Sequence, residues 1–185
     1  MDIERVELAE QTYLYVDRSA ELTGEAIASA MESGFGEVIG FFGERKITPV
    51  SMPVAVYTEM PGPGRKMAFR AGFFVAPEDA ARAAGPVIAG TIPEGPAVKT
   101  VHYGSYTRLN ETHSALWAAM QDEGMTPDMP VWEVYVDDPV ARRADEVRTE
   151  VWRAVGGGER GRGLFSGTGP LSEDTCESRY PWCHG

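Results

Sequence analysis

Residues 48–57 read Thr-Pro-Val-Ser-Met-Pro-Val-Ala-Val-Tyr, and residues 126–135 read Thr-Pro-Asp-Met-Pro-Val-Trp-Glu-Val-Tyr. At a shift of 78 positions the two segments agree in four of their ten residues. A segment that recurs after about half the length of a chain is typical of two copies of one supersecondary unit. The shift places Glu133 where the first copy has Ala55. This carboxylate, inside an otherwise apolar strand, is therefore the first candidate for a functional residue.

Each copy of this segment belongs to a series of elements predicted to run strand, helix, strand, strand. Apolar residues at alternate positions predict the strands, and apolar residues three or four positions apart predict the helices. The first series comprises a strand region over residues 4–17 with a break near Glu10, a helix over about 22–44, and strands over Pro53–Met60 and Met67–Val75. Pro61-Gly62-Pro63-Gly64 predicts the turn between the last two strands.

The second series has the same order. It comprises a strand over Ala97–His102, a helix from an Asn110 N-cap to Glu123 with Gly124 after it, and strands over Val131–Asp137 and Glu146–Val155. Residues 77–96 are a connector, with a short helix over 77–84 and a short strand over 87–92. We therefore predict an α+β fold of duplicated strand–helix–strand–strand units, about 3–76 and 97–155, related by a pseudo-twofold axis. The units are expected to form antiparallel sheets that pack face to face.

The composition is that of a folded protein, and it excludes several classes of partner. The chain has 185 residues, of which 43% are hydrophobic and 24% charged, and its formal net charge is −11. This length suits one domain or two half-domains with a shared core. The acidic balance argues against a nucleic-acid partner, because phosphate binding requires clustered Lys and Arg, and it permits a cationic ligand. No run approaches the roughly 20 apolar residues of a membrane span.

The last thirty residues differ in composition from the rest of the chain. From Gly156 to Gly185 the sequence is rich in Gly, Ser, Pro and charge and has no periodicity, which predicts a flexible or docked C-terminal tail. This tail contains the only cysteines, Cys176 and Cys183. With His184 they permit a disulfide or three metal ligands, but a fourth ligand is missing, so we expect no metal or cofactor. The body then folds without disulfides, and the start of the chain is not a signal peptide, which indicates a cytoplasmic protein.

Two motifs in the second half point to a known family. His102-Tyr103-Gly104-Ser105-Tyr106 precedes the second predicted helix, and Trp132-Glu133-Val134-Tyr135-Val136-Asp137-Asp138-Pro139 follows it. In this order and spacing they resemble the GyrI-like (gyrase-inhibitor-like) small-molecule-binding domains. These occur as effector domains of multidrug-sensing transcription activators and as free-standing proteins. The resemblance covers about residues 3–155. It includes no helix-turn-helix, so DNA binding is not implied.

The resemblance implies the same duplicated fold, with a hydrophobic ligand pocket between the two halves. In the family, a glutamate in this pocket meets cationic, aromatic ligands, and Glu133 occupies the matching position. Strand alternation puts Glu133 and Tyr135 on one face, together with Val131 and Asp137, and puts Trp132 on the other. A buried carboxylate is poorly solvated, so the pKa of Glu133 should rise unless a donor such as a tyrosine hydroxyl stabilises the charge.

The candidate site residues follow from this placement. The candidate catalytic residues are Glu133 and Tyr135, and the candidate ligand-binding residues are Tyr57, Phe73, His102, Trp132, Glu133, Tyr135 and Trp152. All of them except Trp132 have a structural alternative. Glu133 is either a pocket residue or an exposed residue paired with Arg148 or Arg153. The tyrosines suit an ordinary sheet, Phe73 and Trp152 suit the core, and His102 suits a structural hydrogen bond. His113 is expected to be a solvated surface residue.

Three functions are consistent with these features. The first is binding of a hydrophobic, planar or cationic small molecule, such as a drug or toxin, which protects the cell by sequestration. The second is hydrolysis, which the resemblance implies for some free-standing members: water adds to a strained, cyclopropane-containing DNA-alkylating compound, and Glu133 activates the water. The third is inhibition of a topoisomerase by an acidic surface, which makes no use of a pocket glutamate. The sequence does not indicate an oligomeric state.

Overall fold

The computed structural model of the protein describes residues 2–62, 64–138 and 141–156. These residues form an α+β fold in which eight strands and two α-helices are joined by short connections. The strands are β1 (Glu4–Leu8), β2 (Gln11–Ala20), β3 (Val54–Tyr57), β4 (Met67–Phe74), β5 (Ile88–Ile92), β6 (Gly95–Tyr103), β7 (Pro127–Tyr135) and β8 (Arg148–Val155). The helices are α1 (Gly24–Arg45) and α2 (Leu109–Asp122), with 3₁₀ helices at Pro77–Arg82 and Tyr106–Arg108. The predicted tail, with Cys176 and Cys183, lies outside the described residues.

The eight strands form one antiparallel sheet in the order β1-β6-β8-β7-β3-β4-β2-β5. The expectation that the two units pack face to face is wrong. β3 of the first unit pairs with β7 of the second, so the units join edge to edge and share one sheet. In this pairing Ala55 lies directly opposite Glu133. The position at which the two copies differ by a carboxylate is therefore at the centre of the sheet.

Helix α1 begins and ends with well-formed caps. The hydroxyl of Thr23 accepts a hydrogen bond from the backbone of Ala26, and Lys46 adopts a left-handed conformation (φ 54°) after the last turn. The helix is continuous over 22 residues, so the glycines within it do not break it. Gly34 instead allows α1 to approach the sheet closely, since a Cβ built there would lie 2.6 Å from the Cβ of Ala71 in β4.

Helix α2 covers the second half of the sheet. It starts two residues earlier than expected. The N-cap predicted at Asn110 is wrong, because Arg108 occupies the N-cap position without a side-chain hydrogen bond. The hydroxyl of Ser105 accepts a hydrogen bond from the backbone of Thr107, so it caps the preceding 3₁₀ helix. The buried face of α2 consists of Leu109, Thr112, Leu116 and Met120.

Apolar side chains cover both faces of the sheet. On one face they pack against α1 and α2 in a single cluster that includes Val38, Phe42, Leu116 and Met120. On the other face a smaller cluster contains Tyr13, Tyr15, Val54, Val56 and Trp132. None of the helices in the described part of the chain is long and apolar enough to span a membrane.

Candidate functional site

A cavity of about 630 Å³ lies on the helical face of the sheet. Helix α1 lines it with Ile27 and Met31, α2 with Leu109 and His113, and β7 with Val131 and Glu133. The turn at Gly104–Thr107 and the side chains of Ala144 and Val147 complete the wall around the strands. The cavity is thus an apolar space between two helices, with one carboxylate at its floor.

Glu133 is the central polar group of this cavity. The residue is 4% exposed, and both of its carboxylate oxygens accept hydrogen bonds. Oε2 accepts from the hydroxyl of Tyr135 at 2.5 Å and from the hydroxyl of Tyr57 at 3.2 Å. Oε1 lies 2.6 Å from Nε2 of His113. A deprotonated carboxylate can only accept, so Nε2 of His113 carries a hydrogen.

These contacts determine the charge state of the site. Burial by itself raises the pKa of Glu133, but the hydrogen bonds and charge of His113 and the two tyrosine hydroxyls outweigh it, so the pKa lies below its ordinary value. Burial, followed by the negative charge of Glu133, raises the pKa of Tyr57 and Tyr135 well above the ordinary value. Glu133 is therefore negatively charged at neutral pH, and both tyrosines stay protonated as donors.

Aromatic rings surround this carboxylate. The Tyr135 ring meets the rings of Tyr106 and Phe35 edge to face, at centroid distances of 5.3 and 5.7 Å. Its hydroxyl oxygen also lies 3.2 Å from the sulfur of Met31. Tyr57 contacts Phe69 at 6.1 Å. These contacts, edge to face for Tyr135 and tilted by 44° for Tyr57, hold the rings in fixed orientations, so the phenol groups that contact Glu133 are preorganised.

The two arginines considered as partners for Glu133 have other contacts. Arg148 donates to both carboxylate oxygens of Asp137, at 2.7 and 2.9 Å, and its backbone N–H donates to the same group. Arg153 is buried, and its guanidinium carbon lies 4.7 Å from the centroid of the Trp117 ring. The Asp137–Arg148 contact connects the end of β7 to the start of β8, next to Val147 in the cavity wall.

The structure brings together three of the candidate residues and separates the other four. Tyr57, Glu133 and Tyr135 all line the cavity. Phe73 is 4% exposed and packs between the sheet and α1, against Phe35 and Phe42, outside the set that lines the cavity. It is a core residue because it lies near the other end of β4 from Met67, the residue of that strand that lines the cavity.

Trp132 and Trp152 lie on the opposite face of the sheet, where their rings stack at 5.5 Å with an interplanar angle of 12°. A ligand in the cavity cannot contact them, because the sheet intervenes. His102 is also outside the lining set. Its Nδ1 lies 2.7 Å from the hydroxyl of Thr112 and its Nε2 lies 3.0 Å from the backbone oxygen of Ser105. His102 thus fixes the turn that carries Ser105 and Tyr106 into the cavity wall.

The expectation that His113 is a solvated surface residue is wrong. Its side chain is 12% exposed and forms the wall that contacts Glu133. A signal was present in the sequence, because His113 follows Leu109 by four residues and precedes Leu116 by three. This spacing places it at the edge of the buried stripe of α2. Within the described ranges, no three His, Cys, Asp or Glu side chains come together as metal ligands.

Comparison with known proteins agrees with this geometry. The sequence profile of the GyrI-like small molecule binding domain matches residues 1–155. The chain belongs to this family. The curated proteins include no match to the sequence.

Several solved structures share the fold. The C-terminal domain of EcmrR is 17% identical, with a TM-score of 0.67, and the match covers 84% of this chain and 97% of that one. SAV2435 bound to tetraphenylphosphonium is 14% identical, with a TM-score of 0.56 and coverage of 85% and 95%. A protein from Listeria innocua described as a hydrolase is 18% identical, with a TM-score of 0.56 and coverage of 84% and 92%. At these identities the likeness establishes the fold alone.

Proposed function

We propose that the protein binds hydrophobic, planar or cationic small molecules in the cavity between α1 and α2, with the Glu133 carboxylate as the charged contact. The observation that carries this proposal is a buried, ionised carboxylate on the floor of an apolar cavity of about 630 Å³. Ligand sites are commonly apolar cavities of this size with a few fixed polar groups. Capture of a toxic compound in this way would protect the cell by sequestration.

The chemistry of the cavity favours an aromatic cation. A cation near Glu133 gains Coulomb energy that water does not fully screen, because the carboxylate is buried. The rings of Tyr57, Tyr106 and Tyr135 add cation–π and stacking contacts, each about 0.5–2 kcal/mol. Tetraphenylphosphonium, the compound bound by the similarly folded SAV2435, combines both properties. It is therefore the natural first probe.

We also propose that the fold is a duplication of one strand–helix–strand–strand unit. Two features support a pseudo-twofold axis through the centre of the sheet. The strand order β6-β8-β7 on one side mirrors β2-β4-β3 on the other. The sequence shift that relates the halves equates Ala55 with Glu133, and these two residues are also direct partners in the β3–β7 pair. A twofold axis between two antiparallel strands requires such a self-paired position. The duplication would then place the carboxylate of only one half at the axis.

Hydrolysis is the second candidate, and some proteins of similar fold are described as hydrolases. Addition of water to a strained ring requires a base that removes a proton from the water. Glu133 already accepts three hydrogen bonds, and its lowered pKa makes it a weaker base. The geometry therefore favours binding over turnover by Glu133. Mass spectrometry of a cyclopropane-containing alkylator after incubation would distinguish the two, because turnover gives a water adduct and sequestration leaves the compound unchanged.

Calorimetric titration with tetraphenylphosphonium tests the proposed binding. The wild type should bind it, and Glu133→Gln should bind it at least about tenfold more weakly, because a buried neutral amide offers no charge. Glu150→Gln is the matched control, since it removes the same charge from the opposite face of the sheet, where Glu150 accepts from the indole of Trp152. Equal weakening by both variants, or no binding by the wild type, would contradict the proposal.

A further inference from the structure

We infer that the protonation state of His113 sets the affinity of the cavity for cationic ligands and leaves its affinity for neutral ligands unchanged, an inference that rests on the proposed function. The carboxylate of Glu133 is shared between two kinds of donor. The tyrosine hydroxyls, which come from strands β3 and β7, both contact Oε2. His113, which comes from α2, contacts Oε1. An incoming ligand therefore meets a carboxylate whose second oxygen already has a partner that is able to carry a positive charge.

The net charge of the cavity depends on this pair. The titratable residues that line it are Tyr57 on β3, Tyr106 in the 3₁₀ helix, His113 on α2, and Glu133 and Tyr135 on β7. The residues with which α1 lines the cavity are not titratable. The three tyrosines are uncharged at neutral pH, since burial raises the pKa of each. Among the described lining residues, only Glu133 and His113 therefore contribute charge.

The protonation state of His113 then selects the ligand. With a neutral imidazole, the Nε2–H group donates to Glu133 and the pair keeps a charge of −1, which attracts a cation. With an imidazolium, the pair has no net charge, and a cationic ligand loses its electrostatic partner while a neutral ligand does not. Histidine is the type of side chain whose charge changes most readily near neutral pH, so we expect the selection to depend on pH. Because the two groups are only 2.6 Å apart, a ligand interacts with the sum of their charges.

Two probes of similar shape test this inference. Tetraphenylphosphonium is a permanent cation, and triphenylphosphine oxide is neutral. Neither takes up a proton in this range, so any change of affinity with pH arises in the protein. For the wild type we expect the phosphonium to bind about tenfold more tightly at about pH 8.5 than at about pH 5.5, and the phosphine oxide to bind equally at both.

The variant His113→Gln separates this effect from other titrations. Glutamine retains a donor for Glu133 but does not become charged. The affinity of this variant for the phosphonium should therefore be independent of pH. A pH-independent wild type, or a His113→Gln variant with the same pH dependence as the wild type, would overturn the inference and leave the proposed function intact. Failure of both probes to bind at every pH would overturn the proposed function and, with it, the inference.

A measurement on the wild type alone covers the case in which the variant does not fold. By linkage, a cation that binds only with neutral imidazole must release a proton when it binds at low pH. Calorimetry in buffers with different ionisation enthalpies should detect more proton release per phosphonium bound at low pH than at high pH. Absence of proton release at low pH would overturn the inference.

Discussion

Nε2 of His113 lies 2.6 Å from Oε1 of Glu133, although 20 residues separate the two in the sequence. The contact joins α2 to β7 across the floor of the cavity. It also gives a buried carboxylate a third donor, in addition to Tyr57 and Tyr135. The combination explains how the protein keeps a negative charge at a position that is 4% exposed.

Removal of a tyrosine hydroxyl should destabilise the fold. In Tyr135→Phe the carboxylate of Glu133 loses its 2.5 Å donor while the ring is retained. We expect a loss of about 1.5–3 kcal/mol in the free energy of unfolding, because the hydrogen bond is made to a charged group. Urea denaturation of the variant and the wild type measures this. Tyr106→Phe is the control, because its hydroxyl lies 3.5 Å from a backbone oxygen and should cost much less. Equal losses would argue against a special role for the carboxylate.

The Asp137–Arg148 contact should contribute to stability above acid pH. The hydrogen bonds from Arg148 lower the pKa of Asp137 from 3.8 to about 2. A lowered carboxyl pKa stabilises the folded state above the unfolded pKa, and the contribution is lost as the pH falls from about 3.8 to about 2. Asp137→Asn should therefore lower the urea midpoint at neutral pH and reduce its change over this acid range. Asp145→Asn, which removes an exposed ion pair with Arg143, should have little effect. A wild-type midpoint that does not change over this range would contradict the prediction.

Two glycines of the same helix should respond in opposite directions to alanine. Gly34→Ala places a Cβ 2.6 Å from that of Ala71, which forces α1 away from β4. We expect a net destabilisation of about 1–3 kcal/mol from overpacking. At Gly36 no atom lies within 4 Å of an added Cβ, so Gly36→Ala should stabilise by about 0.5–1 kcal/mol through helix propensity. Thermal unfolding of both variants measures the difference. A stabilised Gly34→Ala would show that α1 does not pack this closely.

Substitution on the opposite face should leave ligand binding unchanged. Trp152→Phe reduces the ring area stacked on Trp132 and should lower the free energy of unfolding by about 0.5–1.5 kcal/mol. Its affinity for tetraphenylphosphonium should match that of the wild type, since the sheet separates Trp152 from the cavity. Calorimetric titration checks this, with unfolding measured in parallel. A large loss of affinity in a folded variant would indicate that the ligand binds on the face of the sheet that carries Trp152, which would contradict our proposal.

Much of the local structure could be predicted from the sequence, because it depends on near neighbours. Alternation along residues 131–135 correctly put Glu133 and Tyr135 on one face and Trp132 on the other. The inclusion of Trp132 among the ligand contacts conflicted with that alternation, and the structure follows the alternation. The pairing partner of β3 was harder to predict from the sequence. An apolar strand is compatible with two units that pack face to face and also with two units that join edge to edge. Only the pairing of β3 with β7 decides between these arrangements.

The role of His113 could not be predicted for a related reason. Helical spacing places it beside the buried stripe of α2, but whether an edge residue meets solvent or a partner depends on how the helix packs on the sheet. The approach of α2 to β7 brings the imidazole to Glu133, and no local pattern encodes that distance. Ala144 and Val147 also line the cavity, and the backbone oxygen of Val147 accepts a hydrogen bond from the distant Gly104, a contact that no local pattern encodes.

The position of a bound cation tests the central claim most directly. In a crystal structure with tetraphenylphosphonium, we expect the phosphorus to lie in the cavity within about 6 Å of the Glu133 carboxylate, with phenyl groups against Tyr57 and Tyr135. That result would show that the buried charge is the ligand contact. A phosphonium bound on the opposite face of the sheet near Trp132 and Trp152, or in the cavity but remote from Glu133, would contradict the claim.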